Sequence, residues 1–332
     1  MVCNVMIRKL AARCLLVTAF IAAPLHANEL PANEDYEQFI ALMVDKHQFQ
    51  REHVAELLQQ AQRNEAILEA IARPWEAKPW HQYYPIFLTE KRLAAGLKFW
   101  QEHADTLARA EHQFGVPAEI IVAIIGVETF YGGYLGKYSV LDALYTLGFY
   151  YPPRAKFFRS ELEQYLLLTR EENLPVTELL GSYAGAMGYG QFISSSYRHY
   201  AVDFDGDNVR DLLTNPVDAI GSVANYFAKH GWQQGAPVAV PLAANDKHQH
   251  LVSKGLKPEQ SIAELQQQGL TLPATQQLPT TAKAKVFAFE LEDGHEHWLG
   301  LQNFYVITRY NHSPLYAMAV YQFSQQLQQA RQ

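Results

Sequence analysis

The chain has 332 residues, of which 48% are hydrophobic and 12% aromatic, and this apolar content excludes a disordered or low-complexity chain. Its formal net charge of −7 at pH 7, without a basic block, argues against nucleic acid or an anionic lipid surface as the main ligand. The 19 tyrosines suit carbohydrate, because a phenol combines a flat apolar face with a polar hydroxyl, although most of them will serve packing.

The first 27 residues have the pattern of an export signal. Arg8, Lys9 and Arg13 form a basic region, residues 15–23 form an apolar run, and Ala27 ends a small-residue cleavage site. A membrane-spanning helix needs about 20 apolar residues, so we expect a cleaved signal peptide over 1–27 and not an anchor. Cleavage removes three positive charges and changes the formal net charge from −7 to −10.

Both cysteines, Cys3 and Cys14, lie inside this leader. Cys14 precedes the apolar run, so it is badly placed to become the lipid-modified first residue of a mature chain. The mature chain is therefore expected to contain no cysteine, and its size supports a core without disulfides.

Helical periodicity dominates the chain from residue 33 to residue 229. Apolar residues recur at spacings of three and four up to Arg73, and Pro74 is predicted to end this pattern. Thr89 is predicted to cap one long helix that runs to Phe114 and stops at Gly115. Further helices are predicted over 118–129, 140–147, 155–172, 194–200 and 217–229.

The composition after residue 232 changes and indicates a small β lobe. Asp293-Gly294 is a strong hairpin signal between a strand at 286–291 and a partner strand at 297–308. His295-Glu296-His297 has the residue types of a zinc site, but it adjoins the turn and lacks an obvious third ligand, so we assign it to an exposed strand. A final helix is predicted over 314–329.

Glu128 stands in the last turn of a helix that is apolar on every side over 118–129. The negative end of the helix dipole and poor solvation disfavour a charged carboxylate, so we expect a raised pKa for Glu128. Such an acid suits proton donation to a glycosidic oxygen. The alternative is that Glu128 turns outward to solvent at Gly132 and Gly133. Three tyrosines close by favour a sugar cleft: Tyr131, Tyr134 and Tyr138.

The segment 181–192 combines glycines, which allow tight turns, with polar side chains that can bind a ligand. Ile193 stands where a G-x-G-x-x-G motif requires its third glycine, so a nucleotide is not indicated. Ser182 lacks the context of a nucleophile elbow. A packed glycine-rich loop is the alternative. The polar side chains are Ser182, Tyr183, Tyr189 and Gln191.

The segment 203–211 places carboxylates at alternate positions, so that a turning loop can direct several oxygens at one Ca²⁺ ion. It departs from the EF-hand pattern at Asn208 and Thr214. The Val209 carbonyl and the Asp218 carboxylate can complete the coordination. The alternatives are a solvated acidic turn and, for Asp218, a favourable acid at a helix N-terminus.

Four groups of residues together resemble the lytic murein transglycosylase B family, of glycoside hydrolase family 103 type. They are Gly126-Val127-Glu128-Thr129, the segment 182–192, the aspartate loop with Asn215-Pro216-Val217-Asp218-Ala219, and Tyr310-Asn311-His312-Ser313.

The resemblance implies a mainly α fold with a lysozyme-like helical core, an additional α part and a small antiparallel β lobe. We expect four parts after the leader: an N-terminal α part, the catalytic core with the calcium loop, the β lobe and a C-terminal helix that packs back on the α part. Their bounds are 28–114, 115–235, 236–309 and 310–332. The implied activity cleaves the β-1,4 bond between N-acetylmuramic acid and N-acetylglucosamine without adding water, leaving a 1,6-anhydromuramic end.

By this resemblance Glu128 is the single acid and base, which explains why no second carboxylate, Asp142 and Glu161 included, is marked for catalysis. No organic cofactor is implied. The residues implied to bind the glycan are Ser182, Tyr183, Gln191, Tyr226, Tyr310 and Arg154. The residues implied to hold a structural Ca²⁺ are Asp203, Asp205, Asp207, Val209 and Asp218.

Two departures from the family pattern are visible. Pro153 stands where the pattern often has the first of two arginines, so only Arg154 is matched. Members are often lipoproteins, whereas this leader has no usable lipid-attachment cysteine. We therefore expect a soluble, monomeric periplasmic protein that acts on peptidoglycan glycan strands, with other cell-wall enzymes as candidate partners and no nucleic acid.

Two further functions stay open. A hydrolytic muramidase requires a second carboxylate that faces Glu128 at about 5 to 9.5 Å. A non-catalytic, calcium-stabilised glycan-binding module requires no proton donor.

Overall fold

The computed structural model describes residues 33–73, 78–243, 246–274 and 276–332. The predicted signal segment 1–27, with both cysteines, and Pro74 lie outside these ranges. The described residues form one compact unit, and the four-part division stays a prediction. The helices are α1 Asn33–His47, α2 Arg51–Gln60, α3 Glu65–Ile71, α4 Trp80–Tyr83, α5 Glu90–Glu102, α6 Ala104–Phe114, α7 Ala118–Thr129, α8 Val140–Tyr150, α9 Ala155–Glu171, α10 Ser194–Tyr200, α11 Pro216–Lys229, α12 Ile262–Gln267, α13 Gln302–Tyr310 and α14 Pro314–Arg331.

The strands form two antiparallel sheets. A two-stranded sheet pairs β1 Tyr138–Ser139 with β2 Leu180–Gly181. The other sheet has the order β3-β6-β5-β4 and covers its own small apolar core, which is separate from the large helical core. Its strands are β3 Ala239–Pro241, β4 Gln260–Ser261, β5 Lys283–Glu290 and β6 His295–Gly300. The predicted class, mainly α with a small antiparallel β part, is confirmed.

The predicted long helix from Thr89 to Phe114 is wrong in one respect, because it breaks at His103. Thr89 does cap its start by accepting a hydrogen bond from the Arg92 N–H, and Gly115 ends it in the left-handed conformation. Both halves contact α7, but their other partners differ: α5 packs on α14, whereas α6 packs on α11. The break lets each half follow its own neighbour.

The predicted strand 297–308 is also wrong in its second half. The strand ends at Gly300, and α13 begins at Gln302. Phe304 and Ile307, three residues apart, are both buried, which is the spacing of one helix face. The predicted partner strand is therefore too long, because its second half has the spacing of a helix.

Helix α7 lies in the centre of the fold. All of its residues from Ile120 to Val127 are buried, and α5, α6, α11 and α14 surround it. This packing fixes the position of Glu128, in its last turn. No single helix of the described residues is long and apolar enough to cross a membrane; α6 and α7 pass that test only as a pair, bent by 114°.

Candidate active site

Glu128 is half-buried, and its carboxylate meets a tyrosine from the far end of the chain. The Tyr316 hydroxyl donates a hydrogen bond to Glu128 Oε1 at 2.5 Å. Burial first, and then the negative charge of Glu128, raise the pKa of Tyr316 well above its ordinary value. The phenol therefore stays protonated and acts as a donor.

The chain turns sharply just after Glu128. Phe130 and Tyr131 both have left-handed backbones, with φ of 52° and 59°. The Thr129 hydroxyl donates to the Tyr189 carbonyl at 2.9 Å and accepts from the Gly132 N–H at 3.0 Å. The end of α7 is thereby joined to the segment 181–192.

Tyr310 connects the same segment to α13. Its hydroxyl donates to the Gly190 carbonyl at 2.6 Å, and its ring packs on those of Phe192, Tyr226 and Phe227. Burial first, and then the charge of Glu128, raise the pKa of Tyr310, so its hydroxyl also stays neutral beside the carboxylate. Tyr226 is buried and donates to the Arg309 carbonyl at 2.5 Å.

The segment 181–192 is a tightly folded loop whose polar side chains are half-buried. Ser182 Oγ accepts hydrogen bonds from the N–H groups of Ala184 and Ala186. Gln191 has a left-handed backbone (φ 49°), and its amide donates to the Leu135 and Gly188 carbonyls. Ser182, Tyr183 and Gln191 are each half-buried. The packed-loop and ligand-binding interpretations are therefore compatible.

Arg154 lies at the margin of this group. Its side chain is exposed, and its guanidinium lies 4.4 Å from the ring centre of Phe157. The pKa of His312 is lowered by burial, then by the charges of Arg309 and Arg154. Arg154 therefore lies within electrostatic range of His312, in the turn that follows Tyr310.

The two acids considered as a second catalytic carboxylate both bind protein groups. Glu161 is buried and accepts hydrogen bonds from Ser195 N–H at 2.9 Å and Ser195 Oγ at 2.7 Å, at the start of α10. Asp142 Oδ1 accepts from the Gln62 N–H at 2.8 Å. Both carboxylates therefore hold helices and loops together.

The acidic loop brings three carboxylates into one group. Oxygens of Asp203, Asp205 and Asp218 lie within 4.8 Å of one another. Asp218 is fully buried and accepts from the Phe204 and Asp211 N–H groups, and burial raises its pKa. Asp207 uses Oδ1 to accept from the Val209 N–H.

Two features of the sequence were interpreted incompletely. Tyr316 falls within the predicted final helix 314–329 and is not predicted to belong to the site; its position just after the 310–313 motif is the signal that could have identified it. The placement of His297 on an exposed strand is wrong, because this side chain is buried and its Nε2 lies 2.9 Å from Gln249 Oε1. His295 lies two residues earlier and therefore on the same face of β6, but it is exposed because it forms the last pair of the ladder beside the hairpin turn.

Comparison with known proteins gives consistent relatives. Residues 31–325 match the family described as Transglycosylase SLT domain. The chain is 45% identical over 327 residues to membrane-bound lytic murein transglycosylase B of Escherichia coli (strain K12), covering 94% of this chain and 89% of the relative. The crystal structure of soluble lytic transglycosylase SltB1 from Pseudomonas aeruginosa is 48% identical, with a TM-score of 0.83, covering 90% of this chain and 99% of that one. Escherichia coli Slt35 in complex with calcium is 46% identical, with a TM-score of 0.82, covering 90% and 93%.

Proposed function

The chain belongs to the transglycosylase SLT domain family, and we propose that it is a peptidoglycan lytic transglycosylase in which Glu128 is the single acid and base. Its substrate is the β-1,4 bond between N-acetylmuramic acid and N-acetylglucosamine. The observation that carries this proposal is the contact between the Glu128 carboxylate and the neutral Tyr316 phenol at the end of a buried helix.

The reaction needs one proton donor and no activated water. Protonated Glu128 gives its proton to the glycosidic oxygen as the bond from that oxygen to muramic C1 breaks. The carboxylate then accepts the proton of the muramic C6 hydroxyl as O6 bonds to C1. The product is a 1,6-anhydro ring, and Glu128 is protonated again.

Tyr316 supports the first half of this cycle. Its hydroxyl donates to Glu128 and so stabilises the carboxylate that forms when the proton leaves. The structural use of Glu161 and Asp142 supports a mechanism without a second acid. The C6 hydroxyl of the substrate replaces water as the nucleophile, and its effective concentration is high because it belongs to the same molecule. No second base is therefore needed to activate a water molecule.

The glycan strand is proposed to lie along the segment 181–192 and the end of α13. Neutral hydroxyls, a carboxamide and aromatic rings suit sugar recognition, and Tyr310 lies within electrostatic reach of Glu128. Arg154 is exposed and offers a charge for anionic groups of the substrate. The proposed binding residues are Ser182, Tyr183, Gln191, Tyr226, Tyr310 and Arg154.

The acidic loop is proposed to hold a structural calcium ion. The donor set fits a cation, because oxygens of Asp203, Asp205 and Asp218 converge. The Asp218 carboxylate is also fully buried, and a buried charge needs a partner of opposite charge, which the ion would supply. Asp207 and the Val209 carbonyl are the further proposed ligands. When bound, the ion supplies charge neutralisation that stabilises the loop against α11.

We also propose that the protein works in the periplasm as a monomer after export. The basic and apolar pattern of residues 1–27 supports export. One relative is named membrane-bound, whereas the placement of Cys14 before the apolar run supports a form without a lipid anchor here. Peptidoglycan strands are its proposed partner, together with other cell-wall enzymes.

The test is digestion of purified peptidoglycan by the wild type, Glu128→Gln and Glu119→Gln, with mass spectrometry of the new muramic ends. Glu119, in the first turn of the same helix, is the matched control. We expect anhydro ends from the wild type and from Glu119→Gln, and none from Glu128→Gln. Reducing ends would indicate a hydrolase, and glycan binding without cleavage would indicate a binding module.

A further inference from the structure

We propose that Tyr131 is a positioning residue for Glu128, acting as a wedge between α5 and α7. This inference rests on the proposed role of Glu128. The chain reverses at Phe130 and Tyr131, both in the left-handed conformation, which L residues adopt only at a cost in free energy. The Phe130 N–H is bonded to the Gly126 carbonyl at 3.1 Å. The reversal directs the Tyr131 ring back beneath the turn that carries Glu128.

Two glycines leave room for this ring. A methyl group added to Gly96 of α5 would lie 2.3 Å from the Tyr131 hydroxyl oxygen, and one added to Gly126 of α7 would lie 2.4 Å from it. The ring also stacks on Phe99, with centroids 5.2 Å apart and planes at 30°. Tyr131 therefore fills a space that both helices provide by lacking a side chain.

The hydroxyl of Tyr131 makes this arrangement costly. It is buried and finds no hydrogen-bond partner among the described residues, and burial raises its pKa. An unpaired buried hydroxyl and two left-handed residues are unfavourable for stability. Their concentration within three residues of Glu128 is typical of a functional site, where such strain fixes geometry.

The last turn of α7 is thus held by three contacts besides its own hydrogen bonds. Arg92 Nε donates to the Gly126 carbonyl at 3.0 Å, and the Tyr131 ring fills the space beside Gly126. Thr129, the residue after Glu128, donates its hydroxyl hydrogen to the Tyr189 carbonyl. Together they fix the backbone of Glu128, so that its carboxylate meets Tyr316. A misplacement of about 1 Å in a reacting group costs about 100-fold in rate.

The experiment uses steric compensation in the purified mature enzyme. Gly96→Ala and Gly126→Ala are each made alone and combined with Tyr131→Phe. Removing the hydroxyl leaves ring atom Cζ as the nearest Tyr131 atom, at 3.1 Å from the new methyl at Gly96 but 2.6 Å from that at Gly126. The new methyl at Gly96 would also overlap Leu327 Cδ2, but this atom is the end of a flexible side chain that can move aside. Tyr131→Phe should therefore rescue Gly96→Ala and fail to rescue Gly126→Ala.

We expect each single glycine variant to lower kcat by about 10-fold to 100-fold, with KM changed by less than about twofold. Displacement of Glu128 from its donor also moves the alkaline limb of the kcat profile to higher pH, since a carboxylate that loses a donor holds its proton more strongly. The rescued double variant should recover both kcat and the pH profile.

Gly300→Ala is the matched control. A methyl there would lie 2.6 Å from Phe287 Cε2, a comparable overlap in the β part of the fold. We expect it to lower Tm and leave kcat per folded enzyme unchanged. The proposal is overturned if Gly96→Ala and Gly126→Ala behave like this control, or if Tyr131→Phe rescues both or neither. Failure of the proposed function would show separately, as reducing ends from the wild type.

Discussion

The Tyr316 hydroxyl and Glu128 Oε1 lie 2.5 Å apart although 188 positions separate the two residues in the sequence. Helix α14 brings them together by packing along α7. In the proposed mechanism this contact gives Glu128 a neutral hydrogen-bond donor. It also makes the position of the Glu128 carboxylate depend on correct docking of the C-terminal helix.

Tyr316→Phe should lower kcat by about 10-fold or more, because a hydrogen bond to a charged group contributes about 1.5 to 3 kcal/mol. The alkaline limb of the kcat profile should move to higher pH as the carboxylate loses its donor. Tyr321→Phe is the control, since that hydroxyl of the same helix donates to the Ala239 carbonyl. An unchanged profile for Tyr316→Phe would contradict the assigned contact.

Thr129→Val should reduce the free energy of unfolding by about 1 to 3 kcal/mol, because it removes the partner of two polar groups in the interior. These are the Tyr189 carbonyl and the Gly132 N–H. Thr129→Ser keeps the hydroxyl and should retain more of the stability. Urea unfolding of the three proteins measures the difference; equal stability of Val and Ser variants would show that the hydroxyl contacts are unimportant.

Calcium should raise Tm, with a stabilisation of about 1.4 to 2.7 kcal/mol at about 10 mM calcium for an extracellular-type site. Asp218→Asn should abolish this response. Asp211→Asn should lower Tm but keep the response, because Asp211 caps the N–H groups of Leu213 and Thr214. Thermal unfolding with calcium and with chelator is the measurement. A wild-type Tm that calcium does not change would refute the site.

Lowering the pH should remove the contribution that the ionised Glu264 carboxylate makes to the stability of the fold. The pKa of Glu264 is lowered from its ordinary 4.5 to about 2, first by the Ser261 N–H and then by the Ser261 hydroxyl and the charge of Lys283. A lowered folded-state pKa stabilises the fold above pH 4.5, and this contribution is lost as pH falls through 2. The stability difference between wild type and Glu264→Gln should therefore shrink between about pH 4.5 and 2. A difference independent of pH in urea unfolding would contradict the assignment.

Local chemistry made much of the fold predictable. Thr89 and Gly115 cap or end helices as predicted, since each cap depends on groups within a few residues. The family resemblance is confirmed. The break at His103 could not be predicted, because both halves of that segment share one helical period and differ only in the helices they contact.

The candidate active site was likewise only partly predictable from the sequence. Glu128 could be proposed from the sequence, because it ends an apolar helix and lies in the motif Gly126-Val127-Glu128-Thr129 that resembles the family. Tyr316 could not, because a tyrosine on a buried helix face has the same pattern whether it packs or donates. The position of Tyr131 between α5 and α7 could not be predicted either. The direction of its side chain depends on two left-handed residues and on the space at Gly96, 35 positions away.

The most direct test of the single-acid mechanism is digestion of purified peptidoglycan in ¹⁸O-labelled water, followed by mass spectrometry of the new muramic ends. Attack by the internal C6 hydroxyl predicts anhydro ends without ¹⁸O, absent in Glu128→Gln. Reducing ends that carry ¹⁸O would contradict the account, because they require water as the nucleophile and a second group to activate it.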